Sequence, residues 1–165
     1  MATTPLTPAE TADLEAYGSG PDPAWLREDW SRYLSWHHVG GRAINVLDTG
    51  SPTGTGRDET PLVFIHGHSA CWQHWLEQLP AFMGRYRCIA LDLPGFGNSE
   101  LPEDGISMSG YARAVDELLG QLGVSAACVV GNSMGGFVAA ELAIRFPQRV
   151  ERLVLVSAAG LAGRY

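Results

Sequence analysis

Ala126-Ala127-Cys128-Val129-Val130-Gly131-Asn132-Ser133-Met134-Gly135-Gly136-Phe137-Val138 is the stretch that decides the fold of this 165-residue chain. Ala126 to Val130 is a short continuous apolar run, of the kind buried inside a parallel sheet. A helix is predicted from about Met134 to Phe146, where Pro147 cannot continue it. The junction reads Gly131-x-Ser133-x-Gly135, with Gly136 after it. Small residues are needed on both sides of a serine held in a strained turn, because its neighbours pack closely against the strand. Ser133 is therefore a candidate nucleophile. A serine hydroxyl reacts well only when a base takes its proton and a carboxylate orients that base. Neither histidine nor aspartate occurs between Met134 and Tyr165; the acids there are Glu141, two helical turns on, and Glu151, before the last strand.

Outward from this junction the chain alternates strand and helix patterns. Pro61 to Ile65 and Cys88 to Leu93 are buried-strand runs, the second closed by Pro94-Gly95. Trp72, Trp75, Leu76, Leu79 and Met83 follow at helical spacing, with Pro80 set to kink or shorten that helix. Tyr111, Ala114, Val115, Leu118, Leu119 and Leu122 mark an amphipathic helix, with Ser107 or Ser109 as cap and Gly123 as stop. Arg152 to Val156 is the last strand, ending in Ser157-Ala158-Ala159-Gly160. Upstream, Ser35 to Val39 and Arg42 to Asp48 flank Gly40-Gly41, a hairpin signal. Asp22 is set to cap a helix with Pro23 at its first position and an apolar face from Trp25, Leu26, Trp30, Tyr33 and Leu34. Thr49 to Thr60 reads as a surface loop, residues 1–22 as a flexible leader and residues 23–165 as one domain. The fold class is α/β: a mostly parallel, doubly wound sheet with helices on both faces.

Three motifs in this order carry a family resemblance: Val63-Phe64-Ile65-His66-Gly67, Asp92-Leu93-Pro94-Gly95-Phe96-Gly97-Asn98-Ser99 and Gly131-Asn132-Ser133-Met134-Gly135-Gly136. Over roughly residues 35–160 the chain resembles the α/β-hydrolase superfamily. In that family the serine turn is the nucleophile elbow. The resemblance implies that Ser133 attacks an ester or related bond by an acyl-enzyme route, with the backbone N–H groups of His68 and Met134 forming an oxyanion hole. It implies a structural role for His66 and a turn-bonding carboxylate at Asp92. His68 and His74 would be substrate contacts, whereas His37 and His38 would be distant. Gly-Asn-Ser-Met-Gly-Gly also looks like the elbow of hydrolases that cleave carbon–carbon bonds in ring-fission products; esterases and cofactor-free haloperoxidase-like members share close variants. A serine at the elbow argues against epoxide hydrolases and haloalkane dehalogenases, which need a carboxylate nucleophile. Family members continue with a cap and two further strands bearing the acid and histidine. The chain thus reads as an N-terminal piece, lacking those strands and cap and expected to be impaired. A non-catalytic remnant or binding module is the alternative of a different class.

Bulk properties narrow the partners. A formal net charge of −7 argues against nucleic acid and anionic membrane surfaces, which reward clustered Lys and Arg. Cys71, Cys88 and Cys128 lack metal-ligand spacing and read as buried apolar residues in a reducing, cytoplasmic setting. No cofactor or metal is called for, and the expected ligand is a small-molecule substrate. The last strand, as an unprotected edge, predicts self-association.

Overall fold

The computed structural model describes residues 21–53, 60–102, 105 and 107–160. All but the last two residues of the expected leader lie outside the described residues, as do residues 54–59 of the Thr49 to Thr60 loop. One six-stranded sheet contains β1 (Leu34–Val39), β2 (Arg42–Asp48), β3 (Leu62–Ile65), β4 (Cys88–Leu91), β5 (Ala127–Asn132) and β6 (Val150–Val156), in the spatial order β1-β2-β4-β3-β5-β6. The pairs β1–β2 and β2–β4 are antiparallel. The pairs β4–β3, β3–β5 and β5–β6 are parallel. Gly40 and Gly41 both take positive φ, 55° and 76°, which a two-residue hairpin turn requires. They bring Val39 opposite Arg42.

Side chains alternate across the parallel strands with period two, and each face has its own cover. Val63, Ile65, Ile89, Leu91 and Val129 face the helices α2 (Met108–Gln121) and α3 (Met134–Arg145), packing on Tyr111, Val115, Leu119, Val138 and Leu142. Leu62, Phe64, Cys88, Ala90 and Cys128 face the opposite way, onto Trp72, Trp75 and Leu79, the last in the short helix α1 (Leu79–Phe82). Cys88 and Cys128 are buried and unbridged, and burial pushes the Cys88 thiol up to about 12. The expected α/β architecture is present, with helices on both faces.

Several elements differ from the sequence expectation. The helix expected after Asp22 is two 3₁₀ turns, Ala24–Arg27 and Trp30–Tyr33. Asp22 caps neither; Asp29 restarts the chain by accepting the Ser31 N–H. The Trp72 to Met83 pattern is also split, into a 3₁₀ turn Trp72–Trp75 and α1. Pro80 lies at the start of α1, where its missing N–H is harmless; in one continuous helix it would clash with the preceding turn. α2 is capped by Ser107, whose hydroxyl accepts the Gly110 N–H, and Gly123 follows its end at φ 68°. β4 ends two residues early because the Leu93 N–H turns to His66 Nε2. β5 runs two residues further than expected, since Gly131 and Asn132 still pair with Leu155 and Val156.

Among the described residues β6 lies at one edge of the sheet, with Leu153, Val154 and Val156 37%, 44% and 41% exposed. Ile144, on the neighbouring α3, is 75% exposed, whereas Leu142 two residues earlier is fully buried. Leu142→Ala should cost about 3 kcal/mol in urea denaturation, and Ile144→Ala under about 0.5 kcal/mol. Equal costs would contradict the placement of α3.

Candidate active site

The parallel strands end together. Ile65 is level with Leu91 and Gly131, and Asn132 with Val156. His66, Asp92, Ser133 and Ser157, each the residue after its strand, therefore meet at one edge of the sheet.

Ser133 stands between β5 and α3 with φ 52° and ψ −116°, a conformation that L-residues rarely adopt. The glycines around it are required by space. A methyl group on Gly131 would collide with the Gly135 carbonyl and come within 2.7 Å of Gly136 Cα. One on Gly135 would collide with the carbonyls of Ile65 and His66. Gly67 packs tightly on the other side: a Cβ there would lie 3.3 Å from Ser133 Cβ. The loop after β3 is thus packed directly against the serine.

Met134 follows Ser133 directly, and His68 follows Gly67, which packs on the serine. Met134 N–H is the first of α3 and has no intrahelical acceptor. His68 N–H also has no acceptor among the described residues. The His68 ring is exposed, bonded through Nδ1 to the Ser69 hydroxyl at 2.8 Å and edge-on to Phe96 at 5.6 Å. Ser133 Oγ itself has no hydrogen-bond partner among the described residues.

His66 is fully buried and its two ring nitrogens are committed. Gly67 O can only accept, so Nδ1 donates to it at 2.7 Å; the Leu93 N–H can only donate, so Nε2 accepts at 3.0 Å. The ring is held as the neutral Nδ1–H tautomer, tying the end of β3 to the end of β4. Burial, the dominant cause, lowers its pKa below the ordinary 6.5, against the opposing pull of the Gly67 hydrogen bond and Asp92. It cannot take a proton from Ser133 in this arrangement, as its expected structural role requires.

Asp92 is likewise structural. Its buried carboxylate accepts the Trp72 N–H at 2.7 Å, Asn45 Nδ2 at 2.9 Å and the Asn98 N–H at 3.0 Å. Ser99 completes the knot by donating its hydroxyl to the Asp92 carbonyl and accepting the Asn45 N–H. Asn45 was not singled out among the candidate residues. Its only signal was a lone amide inside the apolar run Ala43 to Leu47.

The remaining candidates are dispersed. His37 and His38 are on β1, four strands from β5. The exposed His74 packs edge-on against Trp75. Glu141 pairs with Arg145, and Glu151 accepts the Thr60 hydroxyl. A groove of about 320 Å³ is lined by Arg42, Pro94, Tyr111 and Arg113 among others, but by no residue of the elbow. No group of three or more His, Cys, Asp or Glu that could hold a metal occurs among the described residues.

Residues 60–162 match the model of the alpha/beta hydrolase fold family. The chain belongs to the α/β-hydrolase family. Among its relatives is the dihydrolipoyllysine-residue acetyltransferase component of the acetoin cleaving system of Cupriavidus necator, 37% identical over 94% of this chain and 41% of the relative. Another is the 2-hydroxymuconate semialdehyde hydrolase of Pseudomonas sp. (strain CF600), 42% identical over 62% of this chain and 38% of the relative. The solved epoxide hydrolase CorEH superposes with a TM-score of 0.69 at 29% identity, over 79% of this chain and 46% of that one. This hydrolase-family chain spans about two fifths of the length of the curated relatives it matches. Among the described residues no helix is long and apolar enough to cross a membrane.

The His66 geometry predicts a pH dependence. The unfolded ring protonates near pH 6.5, whereas the native ring resists protonation, so stability should fall as pH drops below about 6.5. His66→Gln should flatten that slope by at most about 1.4 kcal/mol per pH unit, read from urea unfolding between about pH 5 and 7.5. Parallel profiles for the two proteins would contradict a ring locked neutral.

Proposed function

We propose that this chain carries the nucleophile half of a serine hydrolase site, built to cleave an ester or related acyl bond of a small molecule. The observation that carries the reading is Ser133 in a strained strand-to-helix turn with Gly67 packed against it; in this reading the N–H groups of Met134 and His68 are the oxyanion donors. Ser133 Oγ attacks the carbonyl carbon while its proton passes to a base. The carbonyl oxygen takes up the negative charge against the two N–H donors. When the carbonyl re-forms, the bond to the leaving alcohol breaks and the alcohol receives the proton. Water then repeats the sequence on the acyl-enzyme and releases the acid. Each such donor lowers the barrier by about 3–4 kcal/mol, on the order of 10²–10³-fold in rate.

The described residues supply no activating base: His66 is committed, and neither His68 nor His74 hydrogen-bonds Ser133. Without a base from beyond these residues, turnover is slow. A second reading is cleavage of carbon–carbon bonds in ring-fission products, favoured by the 42% identity to the 2-hydroxymuconate semialdehyde hydrolase. Epoxide opening is disfavoured, because that chemistry needs a carboxylate where this chain has Ser133. The fold alone does not choose between reactions, since relatives named as an acetyltransferase component and as a hydrolase share it.

Residues 23–165 form the partial hydrolase domain in this reading, with residues 1–22 a leader outside it. Self-association along β6 is supported by its exposed apolar edge. A cytoplasmic setting is supported by three unbridged cysteines.

A serine-directed fluorophosphonate and a p-nitrophenyl ester series test the proposal. Slow labelling that mass spectrometry maps to Ser133, absent from Ser133→Ala, is expected. Ester turnover should be no more than about 10³–10⁴-fold above the reaction in water. Labelling indifferent to Ser133 would overturn the nucleophile assignment. Turnover of about 10 s⁻¹ or more, abolished by Ser133→Ala, would overturn the claim that the chain is impaired.

A further inference from the structure

We infer that the turn after β6, residues 156–160, is a clamp that holds Ser133 in its reactive conformation, with Ala158 as the positioning residue. The inference rests on Ser133 being the nucleophile. Both polar groups of the Ser133 backbone are held by this turn: Ser133 N–H donates to Val156 O at 2.9 Å, and Ser133 O accepts the Ala159 N–H at 2.9 Å. The same carbonyl also accepts the Gly136 N–H at 3.0 Å, so the start of α3 and the turn converge on one oxygen. Asn132 Nδ2 reaches Val156 O as well, at 3.4 Å.

Packing reinforces these bonds. A methyl group on Gly136 would lie 2.5 Å from Ala158 Cβ, and one on Gly160 would lie 2.8 Å from Phe137 Cδ1. The turn is itself strained where it leaves the strand, with Ser157 at φ 45°. Two unfavourable backbone conformations, at Ser133 and Ser157, are thus linked through the hydrogen bonds of Ser133 to Val156 and Ala159, on either side of Ser157. Such conformations persist only where the surroundings over-determine them. The first turn of α3 cannot move outward without displacing Ala158. Ser133 therefore cannot relax to an ordinary conformation while β6 stays paired to β5.

The test is amide hydrogen exchange by NMR on the whole chain, with fluorophosphonate labelling in parallel. In the wild type the Ser133 and Ala159 amides should exchange as slowly as those of Val129 and Val130. Gly136→Ala should speed exchange at Ser133 and Ala159 by about tenfold or more, leaving Val129 and Val130 protected. Its labelling rate should fall about 100-fold, the scale of an ångström-sized misplacement. Adding Ala158→Gly to Gly136→Ala removes the nearest clash and should restore part of both readouts, since the methyl group would still lie 3.0 Å from Ala158 Cα and 3.1 Å from Gly131 O. If Gly136→Ala does not fold, Ala158→Val puts the extra bulk on the turn side and should loosen the same two amides. Fast exchange at Ser133 in the wild type, or no rescue in the double variant, would overturn the clamp. A protected Ser133 amide, with exchange loosened in Gly136→Ala and recovered in the double variant but no labelling of the wild type, would uphold the clamp and overturn the nucleophile reading instead.

Discussion

The close approach of α3 to the end of β5 is the constraint on which the site depends. Where Gly131 faces the carbonyl of Gly135, and Gly135 faces those of Ile65 and His66, there is no volume for a side chain. Backbone packs on backbone, and the chain can turn from strand to helix within one residue. That residue, Ser133, takes the strained conformation which the turn imposes. Its position at the sheet edge, beside the loop after β3, follows from this packing together with the parallel register of β3 and β5.

The groups around Ser133 divide sharply into those that build the edge and those that remain unengaged. His66 and Asp92 have the chemistry of a base and an acid, yet each is saturated. Two hydrogen bonds fix the His66 ring as a neutral tautomer, and three donors surround the Asp92 carboxylate. They secure the ends of β3 and β4 and the loop from Pro94 to Ser99. The His68 and Met134 N–H groups and the Ser133 hydroxyl have no partner among the described residues. Leaving such polar groups unpaired next to a packed core is unfavourable unless a ligand or solvent meets them.

Much of this was legible in the sequence, wherever local pattern and local geometry coincide. Gly40-Gly41, the Ser107 cap and the glycines about Ser133 each report a requirement of their immediate backbone, and each was readable in isolation. The alternation of short apolar runs with helical spacing gave the α/β class because parallel strands must be buried on both faces. The breaks in the first helical segments were harder to see. Leu26, Trp30, Tyr33 and Leu34, like Trp72, Trp75, Leu76 and Leu79, have helical spacing, but Asp29 and Pro80 interrupt the hydrogen-bond pattern that spacing presupposes. Least legible were contacts between residues far apart in the chain. The amide of Asn45 finds Asp92, and the carbonyl of Val156 finds Ser133, only after the strands have ordered as β2-β4-β3-β5-β6.

The central claim, that the strained serine and two backbone N–H groups form one reactive unit, is tested most directly by a crystal structure of the protein after exhaustive fluorophosphonate treatment. The account predicts phosphorus bonded to Ser133 Oγ, with the phosphoryl oxygen about 2.7–3.1 Å from the nitrogens of both His68 and Met134. An adduct on any other residue, or a phosphoryl oxygen turned away from those two nitrogens, would contradict it.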